Sequence, residues 1–103
     1  MKYIALFLYL VFHAGFVNSA EHCVQNYNTI GLVGLDNPNG SLFASVSGHN
    51  NGCGCNYVRF YSKNTDTDKA LSILTAAKLA NKKVRIDLSD KNNCNSAYRV
   101  YLH

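Results

Sequence analysis

Tyr57, Arg59 and Tyr61 occupy alternate positions in one short stretch, and Arg99, Tyr101 and His103 repeat that alternation at the C-terminal end. Alternate residues share one face of a strand. If the two stretches lie side by side, rings and cations interleave on one surface. Aromatic rings stack on the apolar faces of sugars or bases, and arginine donates to hydroxyls, carboxylates or phosphates. Tyr57, Arg59, Tyr61, Arg99 and Tyr101 are therefore the candidate ligand-binding residues, and outside a cell a glycan is the expected ligand. Two plainer readings compete. One is a solvated strand face; the other is a face covered by a neighbouring subunit, where Tyr and Arg are also enriched.

No catalytic set accompanies them. His22, His49 and His103 are scattered, and Asp87 and Asp90 do not have the pattern of a working carboxylate pair. The expectation is a protein that is not an enzyme. Asn39-Gly40-Ser41 fits the glycosylation acceptor pattern, although Asn-Gly also has a sufficient reason as a tight turn.

What surrounds these residues begins with a leader. Met1-Lys2, an apolar run from Tyr3 to Val17, and then Asn18-Ser19-Ala20 have the layout of a secretory signal peptide over residues 1–20. The run is shorter than the roughly 20 apolar residues of a spanning helix, and His13 and Gly15 interrupt it. A secreted or periplasmic location without membrane insertion is expected. Residues 21–103 then form one small domain, too short to build a large core and helped by staples.

Without Lys2 the formal charge falls from +4 to +3, and the charges are scattered apart from Lys82-Lys83. That balance does not indicate a nucleic-acid footprint. Cys23, Cys53, Cys55 and Cys94 all lie in the exported part. His49 with Cys53, Cys55 and Cys94 would supply a Cys₃His zinc set, but the Cys-x-Cys spacing is unusual for structural zinc. An even cysteine count in a small exported chain reads as two disulfides, whose pairing spacing alone leaves open. No metal or cofactor is expected.

The elements that must position the tyrosines and arginines follow from periodicity. Thr29–Leu35 reads as a strand, and Asp36-Asn37-Pro38-Asn39-Gly40 as a hairpin turn. Leu42, Ala44 and Val46 alternate along a second strand over 41–47. Residues 56–61 are a third, with Val58 and Phe60 inward. Thr65 with Asp68 resembles a capping box, and Lys69–Ala80 carries the stripe Ala70, Ile73, Leu74, Ala77 of an amphipathic helix closed by Asn81. Val84–Leu88, with Arg85 and Asp87 outward, and Ala97–Leu102 complete the order β-β-β-α-β-β.

That order is mainly β with one helix, and it matches the five-stranded OB-fold-like Greek-key barrel. A flat α+β sheet crossed by one helix gives the same string. In the barrel the third and fifth strands run parallel, so their starting ends are neighbours. Cys55 would then pair with Cys94, leaving Cys23 for Cys53. A bridge between Cys53 and Cys55 would close too tight a ring.

Ala70–Leu88, an Ala/Leu helix leading through Asn-Lys-Lys into Val-Arg-Ile-Asp-Leu, resembles the helix-to-strand passage of the B subunits of bacterial AB5-type toxins, the subtilase cytotoxin and pertussis-like subunits above all. Ile30–Asp36 is similar to their first strand. The resemblance implies a secreted OB-fold that assembles into a homo-oligomeric ring, binds cell-surface glycans and carries a toxin A subunit. The sugar site itself does not carry over. Cys23–Asn28 stands where those subunits bring a serine and tyrosines, and Lys78-Leu79-Ala80 stands where they have an aromatic residue. The same helix-plus-strand pattern also occurs in small exported bacterial proteins of unknown role. A nucleic-acid-binding OB domain and a small exported enzyme or inhibitor are the alternative functions.

Overall fold

The computed structural model describes residues 21–36, 40–49 and 52–103. The leader expected over 1–20 and the turn residues Asn37, Pro38 and Asn39 lie outside the described residues. The strands are β1 (Cys23–Leu35), β2 (Leu42–Ser47), β3 (Tyr57–Phe60), β4 (Val84–Leu88) and β5 (Ala97–Leu102), with α1 (Thr67–Ala80) between β3 and β4. They form one mixed sheet that closes on itself in the order β1-β2-β3-β5-β4, with β4 returning to β1. The flat-sheet alternative is thereby replaced by a ring of strands.

Alternation builds the core. Leu42, Ala44 and Val46 point inward from β2, Val58 and Phe60 from β3, and Val84, Ile86 and Leu88 from β4. Alpha-helix α1 lays Ala70, Leu74 and Ala77 against this core, and the small alanines permit a close approach. Ile73, expected on the same stripe, is only half-buried.

The helix start differs from the sequence expectation. Asp66, not Thr65, is the cap, its Oδ1 accepting from the Lys69 N–H at 3.1 Å. The chain turns first, with the Asn64 and Thr65 N–H groups donating to the Tyr61 carbonyl, so the first free helical donors reach Asp66. Asp66→Ala should lower stability by about 1 kcal/mol in thermal melts. Thr65→Ala should lower it by less than half as much, and equal losses would return the cap to Thr65. At the other end Asn81 takes the left-handed conformation, φ 55°, as expected.

Two departures concern the site. Strand β1 begins at Cys23 rather than Thr29. Its first half pairs with β4 and its second with β2, and the irregularity between Gln25 and Asn28, where Tyr27 has φ 60°, lets one strand serve both partners. The polar Gln25 and Asn28 face inward, hiding the strand from a hydrophobicity reading, because they satisfy one another. Gln25 Nε2 donates to Asn28 Oδ1 at 2.6 Å, and Asn28 Nδ2 donates to the Gln25 and Val84 carbonyls.

Gln25 Oε1 also accepts from the N–H groups of Cys53 and Cys55, seating the loop that carries both cysteines. Gly52 sits against it with φ +84°, where a Cβ would lie 2.8 Å from Gln25 Cα. Cys23 bridges Cys53 and Cys55 bridges Cys94, with Cα separations of 5.9 and 5.8 Å. The second departure is Asp87. It lies on the outer side of β4, yet only 1% of it is exposed.

Candidate functional site

Strands β3 and β5 run parallel but pair only at Phe60 and Ala97. Tyr57 lies upstream of that point and Tyr101 downstream, so the two are roughly 20 Å apart along the strands at ~3.3 Å per residue. The single interleaved face expected from parity is therefore two separate patches.

On the first patch Arg59 is held from both ends. It pairs with the Asp36 carboxylate, and its Nη1 donates to Asn95 Oδ1 at 2.9 Å. Its guanidinium lies 5.3 Å from the centre of the Tyr57 ring and 5.4 Å from that of Phe43. The two rings stack on each other at 5.7 Å. Arg59 thus has its charge matched by Asp36 and much of its donor capacity used. Tyr61 stands apart, beside Lys63.

The second patch is built on β4 and β5, whose register sets Arg85 opposite Tyr101 and Asp87 opposite Arg99. Arg85 grips the Asp87 carboxylate with two donors at 2.8 and 3.0 Å, and Arg99 Nε adds a third contact at 3.1 Å. The carboxylate is 2% exposed while the two arginine side chains are 38% and 50% exposed. Hydrogen bonding to Asp87 raises the pKa of Arg85 above its ordinary value, keeping it cationic. Two cations on one buried anion leave one excess positive charge at the surface.

Aromatic rings frame that charge. Arg85 lies 5.0 Å from the centre of Tyr101, and Arg99 lies 4.8 Å from that of Tyr98. Arg99 Nη2 donates to the Tyr98 hydroxyl at 3.0 Å, which also meets His22 Nδ1 at 3.0 Å. His103 belongs elsewhere: it stacks on Tyr27 at 4.5 Å and accepts the Tyr27 N–H.

Beside this cluster a groove of about 250 Å³ runs between α1 and β5. Asp66, Lys69 and Ile73 form one wall, and Tyr98, Arg99 and Tyr101 the other. It is smaller than the ~300 Å³ at which drug-sized pockets begin, a size suited to one ring of a larger ligand. It offers aromatic surface, two cations and one carboxylate acceptor, a set that can bind polyhydroxylated anions.

Of the five candidate residues, Tyr57 and Arg59 fall on the first patch, Arg99 and Tyr101 on the second, and Tyr61 on neither. Sequence reasoning missed Phe43, Lys69, Arg85, Asp87 and Tyr98. The available signal was the in-out alternation of β4 against that of β5, which sets Arg85/Asp87 against Arg99/Tyr101. The cysteines of the zinc alternative are all oxidised in the disulfides, so the thiolates it requires are already used. No protein-family model, curated protein or solved structure matches the chain.

Proposed function

We propose that this chain is an exported, non-enzymatic OB-fold binding module that takes an acidic glycan in the groove between α1 and β5. The observation that carries the reading is the buried Asp87 carboxylate flanked by Arg85 and Arg99 next to Tyr98 and Tyr101. Asp87 fixes both guanidiniums before a ligand arrives, which lowers the ordering cost of binding. The half-exposed Arg99 then meets a sugar carboxylate, while Tyr101 stacks on the ring face. The closed order β1-β2-β3-β5-β4 with α1 between β3 and β4 supports the OB-fold. Two disulfides support a secreted or periplasmic location.

A glycan array probed with wild type, Arg99→Ala, Tyr101→Ala and Tyr57→Ala tests the site. Arg99→Ala and Tyr101→Ala should each weaken binding to sialylated or uronic-acid glycans about tenfold or more. Tyr57→Ala should bind like wild type. Equal signals from all four proteins would remove the groove as a sugar site.

A ring of several copies carrying a toxin A subunit is a second reading. Its support is apolar surface away from the groove: Leu32 and Leu35 on β1 are 69% and 72% exposed. Light scattering on the secreted protein should then give a mass several times that of the monomer. A strict monomer would leave only the lone binding module.

A further inference from the structure

We infer that the pole of the domain where α1 ends, β4 begins and β5 ends adsorbs to an anionic lipid surface. The segments that meet there carry exposed apolar side chains: Leu79 is 82% exposed, Leu102 52% and Tyr27 49%. Lys78 in the last turn of α1 and Lys82 and Lys83 just beyond it are exposed in the same segments, Lys83 Nζ donating to Thr29 Oγ1 at 3.1 Å. Backbone geometry brings these segments to one end of the domain. The Lys82 N–H donates to the Ala77 carbonyl, the His103 N–H to the Lys83 carbonyl, and Leu102 pairs with Val84. Tyr27, stacked on His103, completes the edge with a left-handed backbone that is uncommon for a tyrosine.

Charge decides the occupant. The sequence holds six acidic side chains, and none lies at this pole. Glu21 pairs with Lys91, Asp36 with Arg59, and Asp87 with Arg85 and Arg99. Asp66 and Asp68 stand at the opposite end of α1, and Asp90 lies in the loop before β5, accepting from the Asn92 N–H. Lysines around exposed leucine and tyrosine form the pattern of a protein that rests on a membrane. The lysines meet anionic headgroups, and the apolar groups reach the boundary with the acyl chains. Among the described residues no helix is long and apolar enough to cross a membrane; the contact inferred is a peripheral one. It uses none of the groove residues and stands independently of glycan binding.

Flotation of the disulfide-intact protein with phosphatidylcholine vesicles, with and without phosphatidylglycerol, tests this. The protein should float only with the phosphatidylglycerol-containing vesicles, and high salt should release it. Lys78→Gln/Lys82→Gln should weaken partitioning about fivefold per lysine. Leu79→Ser, at a site too exposed to disturb the core, should weaken it roughly tenfold. Equal partitioning onto both vesicle types, no flotation with either, or variants that float like wild type would each overturn the inference.

Discussion

Cys55→Ala/Cys94→Ala is expected to lose about 4 kcal/mol of stability, the largest effect of any change considered for this domain. The bridge spans a sequence separation of 39 residues, and chain-entropy estimates for a loop of that length give about 4 kcal/mol. A domain of this size has only ~4–12 kcal/mol in total. Cys55 is also 1% exposed within the core, so its removal costs packing as well. Urea unfolding followed by far-ultraviolet circular dichroism measures the loss. The Cys23–Cys53 bridge, with a separation of 30 residues, should contribute slightly less, and reduction of both should unfold the chain at physiological temperature. A shift below about 1 kcal/mol would mean that the unfolded chain is already restrained by other contacts.

Gln25→Leu should cost roughly 3 kcal/mol although the two side chains are close in size. Gln25 is 1% exposed and reaches four groups. Its Oε1 accepts from Cys53 and Cys55, and its Nε2 donates to the Cys55 carbonyl and Asn28 Oδ1. Leucine strands the Cys55 N–H, the Cys55 carbonyl and Asn28 Oδ1 without partners, at ~1 kcal/mol or more for each buried group. The partly buried Cys53 N–H can find water. The Cys55 amide should exchange with solvent faster in the variant than in wild type. Unchanged stability together with unchanged exchange would mean that the loop is seated by the disulfides alone.

The sequence was most legible where polarity and burial coincide. Leu42/Ala44/Val46 and Val84/Ile86/Leu88 alternate in the sequence as they do between core and surface. Asn81 stops α1 where its tolerance of the left-handed region allows. Cys55 and Cys94 stand just before β3 and β5; Phe60 at the end of β3 pairs with Ala97 at the start of β5, so the segment before β5 runs back beside β3 and Cys94 reaches Cys55. The first half of β1 was illegible because Gln25 and Asn28 are polar and interior, and their hydrogen bonds to each other, to Cys53 and Cys55 and to Val84 make that tenable.

The site was legible by half. Parity assigns each side chain to a face but says nothing about stagger between strands. The stagger of β3 against β5 parts Tyr57 and Arg59 from Arg99 and Tyr101. Asp87 looked ordinary because its burial is made by side chains of two strands, Arg85 beside it and Arg99 opposite. A carboxylate held that way orders two cations on a surface that is otherwise free to bind, which is why the second patch, and not the first, carries the proposed ligand.

The most direct measurement is a titration of the isotope-labelled, oxidised protein with a sialylated oligosaccharide and its neutral counterpart, followed by amide chemical shifts. Acidic-glycan binding in the groove requires saturable shifts concentrated at Tyr98–Tyr101 and at Asp66–Ile73, produced by the acidic sugar alone. Shifts centred on Phe43 and Tyr57, or the same response to both sugars, would contradict it.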